Sequence, residues 1–167
     1  MGRETVRERT YSWRDPRELA VAAMQLDGLD FLRRIGAGEY GIPPAAATTG
    51  ISPVEVGEGY AVFTFEPEEW HYNPMGSVHG GIISTLADTA LGCAVHTTLS
   101  AGTGYTSLDL TVKFTRQVTV DSGTVRCEAK VVSRGRRTAT AEAKVLDGRG
   151  RVVAHAVTTC MLLPAAG

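Results

Sequence analysis

Residues 80–99 read GGIISTLADTALGCAVHTTL. Ile83, Leu86, Ala87, Ala90, Leu91, Ala94 and Val95 recur at spacings of three and four, which predicts a helix. Ile82, Thr85 and Cys93 occupy the rest of its circumference, so no side is strongly polar. A helix that is apolar nearly all round must be surrounded by the rest of the fold.

What surrounds it reads as strand. Ala61, Phe63 and Phe65 alternate with Tyr60, Val62 and Thr64 after a Gly57-Glu58-Gly59 turn. Leu108, Leu110, Val112 and Phe114 alternate with Asp109, Thr111 and Lys113. Val125, Cys127, Ala129 and Val131 alternate with Arg126, Glu128 and Lys130, and Ala139, Ala141, Ala143 and Val145 with Thr140, Glu142 and Lys144. The last strand, Val152 to Leu162, is apolar on both faces and is expected to be central or buried at an interface. Asp121-Ser122-Gly123, Arg134-Gly135-Arg136 and Asp147-Gly148-Arg149-Gly150 carry hairpin chemistry. The pattern predicts an α+β fold: an antiparallel meander of five to six strands wrapped around one central helix.

Ahead of the sheet, residues 1–15 are polar and expected to fray, and Asp15-Pro16 reads as an N-cap and first helical position. Leu19, Ala22, Ala23, Leu26, Leu29 and Leu32 predict one amphipathic N-terminal helix to about Arg34. Gly36 to Thr49, with three glycines, two adjacent prolines and an alanine run, is expected to be a loop.

The 167 residues fit one ordinary domain. Lys+Arg is 17 against Asp+Glu 18, which lacks the basic footprint of a general nucleic-acid binder. No apolar run approaches the roughly 20 residues of a membrane span, and the charged N-terminus is unlike a signal peptide. Cys93, Cys127 and Cys160 are odd in number and far apart, and read as free thiols of a reducing cytoplasm.

Gly36-Ala37-Gly38-Glu39-Tyr40-Gly41 matches a dinucleotide fingerprint in letters only, since a helix precedes it and Ile42-Pro43-Pro44 follows. The spacings between His71, His79, Asp88 and His96 fit no compact metal site on one element. Asp88 is the only carboxylate between Glu69 and Asp109, on a helix expected to be enclosed, where a lone charge must be paired, neutral or used. Gly80 and Gly81 are acceptable at a helix start, where they present free N–H groups or simply pack closely. His79 reads equally as a cap, and Asn73 in Asn73-Pro74-Met75-Gly76 equally as turn chemistry. Together, an amide, a helix-start oxyanion hole and a carboxylate two turns on supply the parts for acyl transfer to water.

N-P-M-G-S-V-H-G-G-I-I-S-T-L-A-D-T-A, residues 73–90, resembles the signature of hotdog-fold acyl-CoA thioesterases of the phenylacetic-acid-degradation (PaaI-like) type, and T-S-L-D-L-T-V-K-F-T-R resembles that family's next strand. The resemblance covers about residues 50–163, leaving 1–49 as an extension. Gln117 departs from it, standing where many relatives have proline. The resemblance implies a hotdog fold and hydrolysis of an acyl-CoA to free acid and coenzyme A. It makes Asp88 the catalytic carboxylate, as general base or nucleophile, and Gly80 the oxyanion donor beside Gly81. It has His79 orient that region, Asn73 hold the water or thioester, and Ser107 position water. It implies neither metal nor cofactor, because a thioester carbonyl is activated enough for water and a base. It also implies a homodimer or homotetramer whose sites combine Asn73, His79 and Gly80 of one subunit with Asp88 of another. Arg134, Arg136 and Arg137 could meet the phosphates of coenzyme A, or form a solvated turn. An acyl-CoA hydratase or dehydratase and a non-catalytic acyl-CoA-binding hotdog domain are the alternatives.

Overall fold

The computed structural model describes residues 6–164. Three helices open the chain: α1 (Pro16–Gln25), α2 (Gly28–Gly36) and α3 (Pro44–Thr49). They are followed by β1 (Ser52–Gly57), β2 (Tyr60–Phe65), α4 (Gly80–His96), β3 (Thr103–Ser107), β4 (Thr111–Phe114), β5 (Val125–Arg134), β6 (Thr138–Leu146) and β7 (Val152–Pro164). The strands form one seven-stranded antiparallel sheet in the order β1-β2-β5-β6-β7-β3, with β4 also on β7. This is an α+β sheet curled around a helix, as the sequence predicts, with more strands than the five to six expected. Only β5-β6-β7 is a meander. The chain leaves β2, runs through α4 and builds the β3–β4 edge before returning to pair β5 with β2.

Small residues let the helix sit close to the sheet. Ala129, Ala141 and Ala143 are buried on the face that receives Ala87, Ala90 and Ala94 of α4, while Leu86, Leu91 and Phe65 fill the remaining depth. Each of those larger side chains gains roughly 1.5–3 kcal/mol from burial, so the layer contributes much of the fold's stability. Along β7, Ala154, Ala156, Thr158, Cys160 and Leu162 are buried. His155, Val157 and Thr159 on its other face are half-buried, and Met161 is exposed. The strand is therefore interior to the sheet, and its outer face is uncovered in a single chain.

Three expectations about elements need correction. The N-terminal helix is two helices, because Gly28 must dock on the end of α4. Its N–H donates to Leu99 O at 2.9 Å, and a Cβ there would lie 1.8 Å from His96 O. Asp27 reaches across to accept from Ala101 N–H at 2.9 Å. The Gly36–Thr49 segment is not all loop: Pro44 starts α3 and Gly50, at φ +73, ends it. The run from Leu108 to Phe114 is strand only over Thr111–Phe114, because the Asp109 carboxylate takes the Thr159 N–H and breaks the ladder between β3 and β4.

Residues 1–5 of the polar N-terminal stretch lie outside the described residues. Of the remainder, Arg9 is held: its guanidinium donates to the Ala47 and Thr48 carbonyls and stacks 3.5 Å from the Trp70 ring centroid. Asp15 caps α1 through Arg17 N–H, with Pro16 at the first turn, as predicted. The glycine pattern at 36–41 ends α2 and turns at Gly38, whose φ is +78.

Candidate active site

Asp88 is exposed, which corrects the expectation of an enclosed carboxylate. The sheet wraps only part of α4. Gly81 and Asp88 are exposed along the uncovered side, and Thr85 and Thr89 are half-buried beside them. The carboxylate is nevertheless not loose: the Ser107 hydroxyl donates to Asp88 Oδ1 at 2.9 Å. β3 lies against α4 here because Gly92, one turn on, carries no side chain. A Cβ at Gly92 would come 2.7 Å from the Tyr105 hydroxyl. Burial pushes that phenol well above its ordinary value of 10 and keeps it neutral.

The start of α4 is built by His79 and two glycines. His79 Nδ1 accepts from Gly81 N–H at 2.8 Å, and His79 O accepts from Ile82 N–H at 2.9 Å. His79 is thus the N-cap of α4, with Nδ1 as the acceptor. The first N–H groups of a helix have no partner within it, so Gly80 presents its N–H at the positive end of the helix. A side chain at either glycine would press on a neighbouring ring: a Cβ at Gly80 would lie 3.1 Å from the Phe114 ring, and one at Gly81 2.9 Å from His79 Nδ1.

Asn73 sits in the turn before α4. Its Oδ1 accepts from Met75 N–H at 2.8 Å and its Nδ2 donates to Ser77 Oγ at 3.3 Å. The turn reading of Asn73 is therefore real, while the amide retains a second N–H. Asn73, Gly80, Phe114 and Gln117 border a shallow, open depression of about 440 Å³.

The chain thus brings the expected residues together in two groups. Asn73, His79, Gly80 and Gly81 lie at the start of α4, and Asp88 and Ser107 lie at its middle. At 1.5 Å per residue, Gly80 and Asp88 are separated by about 12 Å along the axis, too far to act on one carbonyl. Arg134, Arg136 and Arg137 belong to neither group. All three are exposed in the β5–β6 hairpin. That hairpin lies toward the far end of α4, where Val131 N–H donates to Gly59 O and Gly59 N–H to Thr97 Oγ1, each at 2.8 Å.

His71 and His96 have structural surroundings. His71 Nδ1 accepts from Glu68 N–H and its Nε2 donates to Thr49 O, each at 2.9 Å. His96 is packed between the rings of Phe31 and Tyr105. Burial lowers the pKa of both. The thiols of Cys93 and Cys127 are pushed up to about 12 by burial, and that of Cys160 is raised too, so none is a ready nucleophile. Sequence reasoning missed the contacts of Phe114 and Tyr105 with the helix glycines. Their aromatic letters on neighbouring strands were the available signal.

Residues 75–154 match the model of the thioesterase superfamily. No match was found among the curated proteins. Among solved structures, the chain is similar to conserved protein PA5202 from Pseudomonas aeruginosa, with 30% identity over 73% of this chain and 95% of that one, at a TM-score of 0.69. It is similar to a phenylacetic acid degradation-related protein from Ralstonia eutropha, with 28% identity over 77% and 97% of the two chains and a TM-score of 0.70. It shares its fold with smu.793 from Streptococcus mutans, a structure bound to acetyl CoA, with 23% identity over 70% and 91% of the chains and a TM-score of 0.63. A curled antiparallel sheet around α4, carrying the matched Met75–Ala154 segment, therefore makes this chain a member of the thioesterase superfamily, a hotdog-fold protein of the phenylacetic-acid-degradation type.

Proposed function

We propose that the protein hydrolyses an acyl-CoA thioester to a free acid and coenzyme A. The observation that carries this reading is the Asp88 carboxylate, exposed on an otherwise apolar helix and held by Ser107 in a superfamily of thioesterases. The acetyl CoA in the Streptococcus mutans structure supports an acyl-CoA as the ligand class for this fold.

In the proposed reaction Asp88 takes a proton from water, and the hydroxide oxygen bonds to the thioester carbon. The carbonyl oxygen becomes an oxyanion and accepts a hydrogen bond from Gly80 N–H. A missing donor of this kind costs about 3–4 kcal/mol in the barrier. Collapse breaks the carbon–sulfur bond, and the proton held by Asp88 passes to the departing sulfur. Ser107 fixes one carboxylate oxygen, leaving the other for water. Because Gly80 and Asp88 of one chain are about 12 Å apart along the helix, the working site pairs Asn73, His79 and Gly80 of one copy with Asp88 and Ser107 of a second. A homodimer, or a tetramer built from two, satisfies this. Residues 50–163 form the thioesterase domain in this reading, with 1–49 as an extension. Gly81 supports substrate binding through the His79 cap, and Arg134, Arg136 and Arg137 meet coenzyme A phosphates.

The test is thiol release from short, medium, long and aryl acyl-CoA esters by the wild type and by Asp88→Asn. Enzyme-dependent release that is lost in the variant supports hydrolysis. Binding of acyl-CoA with no turnover of any ester would make the domain a binder instead.

A further inference from the structure

β3 and β4 run in line along β7, and the join between them is built rather than ragged. Leu108, Asp109 and Leu110 stand there opposite only Thr158 and Thr159, a β-bulge with one extra residue on the edge. Its effect is a change of face. Side chains alternate along a strand, so Ser107 and Phe114 would point to opposite sides of an unbroken one. Here both meet α4. Tyr105 packs against the core before the bulge, and Leu110 and Val112 pack against it afterwards. Ser107 thereby reaches Asp88 Oδ1 at 2.9 Å, while the Phe114 ring lies 3.1 Å from where a Cβ of Gly80 would be.

An extra residue displaces backbone groups from the ladder, and Asp109 takes up their partners. Its Oδ1 accepts from Thr159 N–H at 3.0 Å, and its carbonyl accepts from the hydroxyl of buried Thr158. Leu108 N–H donates to Thr159 O at 2.8 Å. Ser107, Leu108 and Asp109 are all exposed, so packing does little to hold this corner. The three bonds, with the pairing of Ser107 on Cys160, hold it instead.

We propose that Asp109 is a positioning residue for the hydrolysis: by closing the bulge on Thr158 and Thr159 it aims the Ser107 hydroxyl at Asp88. The inference rests on the acyl-CoA reading above and deepens it, adding a residue that touches neither water nor thioester. The clamp needs an acceptor at Oδ1 and not a charge. Asparagine supplies one and alanine does not.

The test compares the wild type with Asp109→Ala and Asp109→Asn, by crystal structures and by steady-state thiol release, with circular dichroism as the check on folding. In Asp109→Ala, Ser107 Oγ should leave hydrogen-bond distance of Asp88. Its kcat should fall about two- to tenfold, the effect of one hydrogen bond, with KM nearly unchanged. Adding Ser107→Ala should cost little more. Asp109→Asn should restore both the bond and most of kcat. If Asp109→Ala does not fold, Thr158→Val, which removes the other bond to Asp109, decides by the same measures. A Ser107–Asp88 bond retained in Asp109→Ala, a kcat unchanged by it, or an equal loss in Asp109→Asn would overturn the proposal. The two readings fail separately. Release by the wild type with the bond retained in Asp109→Ala keeps hydrolysis and sinks the clamp. No release from any ester, with the bond lost in Asp109→Ala and kept in Asp109→Asn, sinks hydrolysis and leaves the clamp.

Discussion

The Ser107 hydroxyl donates a 2.9 Å hydrogen bond to Asp88 Oδ1, tying strand β3 to helix α4 at that helix's only carboxylate. The bond fixes a side chain that is otherwise exposed. If it positions the carboxylate toward water, Ser107→Ala should lower kcat several-fold and leave KM nearly unchanged. In the Asp88→Asn background the same change should have no further effect on kcat. Steady-state kinetics on the two single variants and the double variant check this. Additive losses would assign Ser107 a separate role.

Asp88→Asn itself should retain the fold and assembly and lower kcat at least about a hundredfold, the lower range for acid–base groups. The substitution is nearly isosteric and the site is exposed, so packing is not at stake. Near-normal turnover would return Asp88 to a structural role.

Separation of the two groups along α4 makes a prediction about mixing. Asn73→Ala and Asp88→Asn should each be nearly inactive. After reversible dissociation and random pairing, half of the dimers are mixed and each has one intact site of two, so about a quarter of full activity should return. Proven subunit exchange without recovery would sink the shared site and leave hydrolysis standing.

Gly28→Ala should destabilise the protein by about 3 kcal/mol, at the upper end of overpacking costs, because its Cβ would lie 1.8 Å from a backbone oxygen that cannot retreat cheaply. The thermal midpoint reports this directly. An unchanged midpoint would mean that α2 docks less tightly than the hydrogen bond to Leu99 requires.

Burial lowers the pKa of His71 and His96 below 6.5, so the unfolded chain binds protons that the folded chain refuses. Stability from this source is complete above about pH 6.5 and is lost as the pH falls from there toward the folded values. Chemical denaturation between pH 8 and pH 5 should show the decline, and His96→Gln should flatten it. A slope unaffected by that variant would move the effect elsewhere.

The central helix and its sheet were legible because their signals are periodic. The Gly80–Leu99 run and the alternation in β5 and β6 admit few other readings, and the letters of residues 73–90 carried the family. Features set by one long-range contact were not legible. Asp27-Gly28 looks like a minor flaw in a helix until His96 is beside it. Asp109 breaks a strand only because the Thr159 N–H lies opposite. Asp88 was expected inside because α4 lacks a polar face, yet an apolar surface can equally await a second copy. Pattern alone does not distinguish a covered face from one to be covered. An apolar cavity of about 200 Å³ between α2, α3, β1, β2 and α4 was invisible for a similar reason, since its lining forms only when residues 32–63 fold back onto Thr89 and Cys93.

The lining of that cavity has a consequence for how such a protein can change over generations. Its outer wall is drawn from residues 32–56, whereas the carboxylate and the helix start lie within 79–96. Substitutions, insertions or exchange of the leading segment can therefore remodel the apolar chamber while the later stretch is inherited intact. The joints that must survive include Asp27 and Gly28 on the His96–Ala101 backbone and Thr49 on His71. Diversification of the chamber is thereby decoupled from preservation of the Asp88 helix.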